Sequence, residues 1–277
     1  MPDPADVAAA VDAAIAEDLG DGDLTSESVI PADARLVLHM VARQDLVAAG
    51  LPVAREVFKR LAPEADVSDR VRDGDAVPAG AGMALIEGPA RGLLSAERAA
   101  LNIVQFLSGI ATLTRAYADA IGGTGARLLD TRKTVPGMRA LSKYATRMGG
   151  ATNHRFGLYD GVLIKDNHIA VAGGVAKAVR AAKAAGLDGV QVECDTLAQV
   201  EEALAAGADS ILLDNMDTGA LREAVALAGG RVPLEASGGV RLETIRAIAE
   251  TGVDFVSVGA ITMAAPSVDI GLDLAPG

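Results

Sequence analysis

The sequence has little of what marks several common kinds of protein. It holds one cysteine, Cys194, in 277 residues, so no disulfide can close within the chain and no thiolate cage can form, and a reducing, cytoplasmic setting is expected. No apolar run approaches the roughly 18 residues of a membrane span. The first residues carry acids where a secretory leader would be basic. Positive charge is scarce too, with 25 Lys and Arg against 37 Asp and Glu for a net of −12. Such a surface repels nucleic acid and anionic lipid, so neither is an expected partner. Aromatic residues make up only 3%, but 50% of residues are hydrophobic and 22% charged, which excludes a disordered or collagen-like chain. The length suits one large domain or two modest ones.

What is present falls into two rhythms. Val7, Val11, Ile15 and Leu19 recur at helical spacing, with Asp3 placed to cap the helix and Gly20 to stop it. An acidic stretch from Gly20 to Ser28 reads as turns. Leu36, Leu38, Met40 and Ala42 then alternate as a strand whose face includes His39, and a helix is expected over Pro52 to Leu61. Turns near Asp73 and Pro78 and the run Ala84-Leu-Ile-Glu complete a mixed region, read as an α+β (α/β sandwich) domain over 1–108. The alternating segment Val268-Asp-Ile-Gly-Leu-Asp-Leu is expected to return to it, so 265–277 is grouped with this domain.

Beyond a long helix carrying Leu101, Val104 and Leu107, short apolar runs alternate with helical segments: Arg127 to Lys133, Gly161 to Asp166, Val190 to Asp195, Ser210 to Asn215, Pro233 to Gly239 and Phe255 to Ala260. Strands alternating with helices imply parallel pairing through right-handed crossovers. Residues 109–264 are therefore read as an incomplete, TIM-like β/α barrel of about six or seven strands. Each run ends in a polar residue or glycine. The C-terminal ends of barrel strands converge on one mouth, which is where catalytic groups sit.

Arg132, Lys133, His154, Arg155 and Lys165 at that mouth form a pocket for an anion with more than one negative group. Glu193 and Asp214 are hard oxygen ligands suited to Mg²⁺ whose remaining ligands come from a diphosphate. Ser237, Gly238 and Gly239, with Val258, Gly259 and Ala260, place small residues where backbone N–H groups approach a phosphate. Four residues have blander readings: Cys194 packs, His168 is structural or supports a site residue from behind, and Lys143 with Arg147, four apart on a helix, forms a solvated cationic stripe.

Asp130-Thr-Arg-Lys-Thr-Val-Pro-Gly, the stretch Lys143 to Asp160, Leu163-Ile-Lys-Asp-Asn-His-Ile, Leu213-Asp-Asn-Met and Leu234-Glu-Ala-Ser-Gly-Gly-Val closely resemble quinolinate phosphoribosyltransferases. The resemblance runs nearly end to end. It implies transfer of phosphoribosyl from phosphoribosyl pyrophosphate to quinolinate with loss of CO₂, giving nicotinate mononucleotide and pyrophosphate for NAD synthesis, with Mg²⁺ as cofactor. By motif position it implies that Arg132, His154, Arg155 and Lys165 hold the quinolinate carboxylates and that Thr131 lines the site. Lys133 would lie near the pyrophosphate, acting with Glu193 and Asp214 as the catalytic set. Glu193 and Asp214 would serve Mg²⁺ and ribose, and the two small-residue turns would hold the ribose phosphate. Arg98 would reach the site of the neighbouring subunit, making the protein a homodimer. Two other readings stay open: a related pyrophosphorylase of the type associated with molybdenum transport, and a barrel that binds a phosphorylated metabolite without catalysis.

Overall fold

The computed structural model describes residues 2–274. In chain order the elements are α1 (Pro4–Leu19), α2 (Leu24–Val29), β1 (Arg35–Ala42), β2 (Leu46–Val47), α3 (Leu51–Leu61), β3 (Asp66–Asp69), β4 (Ala76–Val77), β5 (Gly82–Pro89), α4 (Ala90–Ala120), β6 (Arg127–Leu129), α5 (Arg139–Met148) and β7 (Leu163–Ile164). They continue as α6 (Asp166–Ala172), α7 (Val175–Ala184), β8 (Gln191–Cys194), α8 (Leu197–Ala206), β9 (Ser210–Asp214), α9 (Thr218–Ala228), β10 (Leu234–Ser237), α10 (Leu242–Ala249), β11 (Phe255–Ser257), α11 (Ala260–Met263) and β12 (Ile270–Leu274). The chain forms two compact units.

The first unit takes the chain up to Arg115, the segment Thr134–Gly150 and the chain from Ile261 onward. The middle segment lies inside the range 109–264 that was read as barrel. The unit is built on an antiparallel sheet in the order β12-β1-β5-β3. As expected, the C-terminal segment returns: Ile270 pairs with Ala42 and Leu274 with Leu38. Met40, Phe58, Met83, Ile86, Leu93 and Leu107 are fully buried between the sheet and the helices. Gln105 of α4 fastens the returning chain, accepting from the Val268 N–H at 3.2 Å and donating its side-chain amide to the Ile270 carbonyl at 2.9 Å. The chain passes so close to α4 that a Cβ on Gly109 would lie 2.1 Å from the Pro266 carbonyl oxygen.

Helix α1 starts at Asp3, whose side chain accepts from the Ala5 N–H, and ends at Gly20. The acidic stretch read as turns holds the short α2 instead. Asp23 caps it by accepting from the Thr25 and Ser26 N–H groups and takes a further bond from the Ser95 hydroxyl. These bonds, those from Ser26 first, hold the Asp23 carboxyl at about 2. A second reading also changes. Arg147 is exposed, but Lys143 is buried within α5, so the two do not form a solvated stripe.

The second unit holds Ala116–Lys133 and Ala151–Ala260. Its six strands are all parallel, in the order β6-β11-β10-β9-β8-β7. The edge strands β6 and β7 are not neighbours in this sheet, so the barrel is incomplete. Thr152 makes a parallel bridge to Leu129, and residues 152–155 thus run beside the free edge of β6.

Candidate active site

Alternation along the barrel strands builds the site. Neighbouring strand residues point to opposite faces, so Gln191 and Glu193 of β8 share one face and Val192 and Cys194 the other. Glu235 and Ser237 share a face of β10 in the same way. The inward positions line a pocket of about 590 Å³ at the C-terminal strand ends. Its walls include Thr131, Arg132, Lys133, His154, Arg155 and Lys165 on one side and Glu193, Asp214, Ser237, Gly238 and Gly239 on the other. Every lining residue belongs to the second unit.

The cationic wall is held by backbone contacts. Asp130, fully buried at the end of β6, accepts from the Asn153 side chain at 2.6 Å and from the His154 N–H at 2.8 Å. It supports the pocket from behind. The Arg155 guanidinium donates to the Gly161 carbonyl at 2.9 Å. Burial, and then the charge of Arg132, push the affinity of Arg155 for its proton below the usual arginine range, with Asp160 opposing. Two guanidiniums close enough to perturb each other, in a chain of net −12, call for an anion with more than one charge.

The acidic side is tied to the cationic one. Lys165 donates to Glu193 at 2.6 Å, and Glu193 is 7% exposed. Burial, followed by the charges of Glu193 and Asp195, raises the Asp214 carboxyl above its ordinary range, while Lys165 and Lys133 pull it back. Two carboxylates that repel in one pocket would be relieved by a cation between them. Among the described residues no cluster of three or more His, Cys, Asp or Glu forms a complete metal cage. Glu193 and Asp214 are hard oxygen donors of the kind that would hold a Mg²⁺ through one or two carboxylates.

The glycine turn after β10 is crowded. Gly238 has φ +90°, and a Cβ there would lie 2.2 Å from Asn215 Oδ1. Asn215, itself at φ +55°, donates its N–H to the Ser237 carbonyl at 2.9 Å and its side-chain amide to Asp214 at 2.6 Å. At the last strand end, Gly259 packs against Lys133, whose Cδ would lie 2.8 Å from a Cβ there, and Val258 is buried. Ala260 opens α11. Arg98, the remaining expected site residue, is exposed on α4 in the first unit. His168 accepts the Lys165 N–H at 2.9 Å, a contact at the start of α6. Cys194 is buried, and burial first, then Asp195, Glu202 and Glu193, push its thiol up to about 12, which suits packing and not nucleophilic attack.

Two inward polar residues one layer below the mouth escaped the sequence reading, Gln191 and Glu235. Both stand two positions before an expected site residue, Glu193 and Ser237, and the strand period of two was the signal that could have found them.

Fold and pocket together define a β/α-barrel protein with cationic, acidic and glycine-turn residues gathered at one mouth. Comparison with known proteins is more specific. The family model for the quinolinate phosphoribosyl transferase C-terminal domain matches residues 110–273, and that for the N-terminal domain matches 23–108. A nicotinate-nucleotide pyrophosphorylase (carboxylating) of Mycobacterium leprae is 45% identical, over 94% of this chain and 94% of its own. A quinolinate phosphoribosyltransferase (decarboxylating) of Nicotiana tabacum is 40% identical over 97% of this chain and 82% of its own. The solved nicotinate-nucleotide pyrophosphorylase of Francisella tularensis superposes with TM-score 0.94 at 41% identity, covering 99% of this chain and 98% of that one. The chain belongs to the quinolinate phosphoribosyl transferase family.

Proposed function

We propose that the chain transfers phosphoribosyl from phosphoribosyl pyrophosphate to the ring nitrogen of quinolinate and releases CO₂, forming nicotinate mononucleotide and pyrophosphate for NAD synthesis. The observation that carries this reading is one pocket in which Arg132, Lys133, Arg155 and Lys165 face Glu193 and Asp214. The cations suit a pyridine dicarboxylate. The carboxylates suit a sugar that turns cationic as its bond to pyrophosphate breaks and the bond to nitrogen forms.

Arg132, Arg155 and Lys165 bind and orient the pyridine so that its nitrogen lies in line with the departing group. Glu193 and Asp214 stabilise charge developing on the ribose and would hold Mg²⁺ with the diphosphate. When bound, this ion offsets negative charge on the leaving pyrophosphate. Lys133, packed against Gly259, is placed to meet the same leaving group. Ser237, Gly238 and Gly239, with Val258 to Ala260, take the ribose phosphate. Once the nitrogen is quaternised, its positive charge stabilises the electron pair left on the adjacent ring carbon as the carboxylate there departs as CO₂, and that carbon then takes a proton. The chain's task in the second step is to hold the ring in place.

An assay of nicotinate mononucleotide and CO₂ from quinolinate, phosphoribosyl pyrophosphate and Mg²⁺ tests the reading. Wild type is expected to form both, with Arg132→Ala and Glu193→Ala each lowering kcat/KM by about 10²- to 10³-fold. Turnover of nicotinate in place of quinolinate, or no turnover at all, overturns it.

We further propose a cytoplasmic homodimer in which the exposed Arg98 completes the partner's pocket. Subunits of Arg98→Ala and Glu193→Ala, each nearly inactive alone, should regain up to about a quarter of wild-type activity after mixing and exchange, because half of the dimers are hybrids with one complete site. A mixture that stays inactive although exchange is shown by mass would remove Arg98 from the partner's site.

A further inference from the structure

Behind the cationic wall a buried network crosses the barrel interior. His154, on the segment bridged to β6, has both ring nitrogens engaged. Its Nδ1 accepts the Arg155 backbone N–H at 2.7 Å, and its Nε2 lies 3.2 Å from Gln191 Oε1 and 3.2 Å from Glu235 Oε2. Gln191 donates its side-chain amide to the same Glu235 oxygen at 2.8 Å. Glu235 is 3% exposed and reaches this point from β10, and Gln191 reaches it from β8. His154, Arg155 and Glu235 line the mouth pocket and also a second hollow of about 480 Å³, which Gln191 lines as well. These side chains thus form the partition between the two spaces.

The bonding pattern dictates a protonation state. A nitrogen that accepts a backbone N–H cannot carry a proton of its own, so Nδ1 is bare and the ring's single proton is on Nε2. That proton points at acceptors on Gln191 and Glu235. A protonated imidazolium would have to give up the Arg155 bond. His154 is therefore a poor cationic ligand for a carboxylate, the role the family resemblance gave it. One Glu235 oxygen, Oε2, is the meeting point of both the His154 ring and the Gln191 amide.

We infer that Glu235 and Gln191 are positioning residues, which hold His154 as the neutral Nε2–H tautomer and through it fix the backbone from which Arg155 reaches the pyridine. The need for them lies in the incomplete barrel. Residues 152–155 have a sheet partner on the β6 side, through the Thr152 bridge. On the side toward β7, His154 crosses the interior to β8 and β10 and ties the segment down. The inference rests on the reading of Arg155 as a ligand of the anionic substrate.

Nitrogen-detected NMR of the histidine rings tests the tautomer directly, without any turnover. With three histidines in the sequence, the His154 signals are assigned by their loss in His154→Gln. Wild type is expected to show the Nε2–H tautomer at neutral pH. In Glu235→Gln, which keeps the side-chain shape, the ring should exchange between tautomers or gain the Nδ1–H form. A wild-type ring found as Nδ1–H or as imidazolium overturns the inference. In kinetics, Glu235→Gln and Gln191→Ala should each raise KM for quinolinate about tenfold and change KM for phosphoribosyl pyrophosphate several-fold less, since the network meets the cationic wall through His154. Equal losses for both substrates, or none, also overturn it. If the tautomer is as stated but wild type turns over no quinolinate, the network stands and the proposed reaction falls.

Discussion

Replacing Gly238 by alanine is expected to lower kcat/KM for phosphoribosyl pyrophosphate by about 10²-fold while leaving the protein folded, because a displacement of the order of 1 Å at a site can cost that much. Two effects combine. The residue sits at φ +90°, a left-handed conformation that side chains resist, and the new methyl would lie 2.2 Å from Asn215 Oδ1 and 2.8 Å from the Asn215 backbone nitrogen. Asn215 cannot yield without consequence, since its amide bonds to Asp214 and its N–H to Ser237. The displacement therefore passes to a carboxylate and to the proposed phosphate turn together. Gly239→Ala is the control. It also has positive φ, at +59°, but its methyl would meet nothing within 4 Å, so its loss should be several-fold smaller. Steady-state kinetics of the two variants, with circular dichroism to show that both are folded, decides the matter. Equal losses would mean that backbone strain alone matters and that Asn215 does not couple the turn to Asp214.

The largest stability effect is expected at Gly109. Alanine is the better helix former, and on propensity alone Gly109→Ala in the middle of α4 would stabilise by about 1 kcal/mol. The structure reverses that sign. The added methyl would stand 2.1 Å from the Pro266 carbonyl oxygen and 3.1 Å from the Ser267 Cα, so a backbone segment has to move. Overpacking of this kind costs about 3 kcal/mol, and the shift would strain the Gln105 bonds to Val268 and Ile270. Urea unfolding of Gly109→Ala beside Gly82→Ala, whose methyl would meet nothing within 4 Å, measures it. A Gly109→Ala protein as stable as the Gly82→Ala one would refute the close approach.

These positions also show what was legible beforehand. The opening helix could be read because its three signals agree: a capping aspartate, apolar residues on one face and a terminal glycine. The barrel strands could be read because each apolar run ends in polar groups, and in a barrel those ends meet. Gln191 and Glu235 were not read, although the period of two places them on the faces of Glu193 and Ser237; that they meet each other follows only from the register of β8 and β10. Lys143 was misplaced for a related reason. A lysine spaced four residues from an arginine looks like a surface pair, and its burial follows from tertiary packing, which local spacing does not carry. Helix α2 was hidden by its own cap, because the aspartates and glycines that favour turns also begin helices. The identity of the substrate lay outside spacing altogether. Any dianion suits four cations, and only the resemblance singled out a pyridine.

The pairing of β12 with β1 bears on how the chain is made. Arg43 and Asp273, an ion pair at this seam, are separated by 230 positions, so the first sheet begun by the ribosome waits for nearly the whole chain before its edge is covered. During synthesis β1 is paired on the β5 side while its other edge stays open, and an uncovered edge is the feature through which nascent chains join one another. The barrel strands, all encoded between the two, have time to form first. The sheet of the first unit can therefore be completed only after every barrel strand has been made.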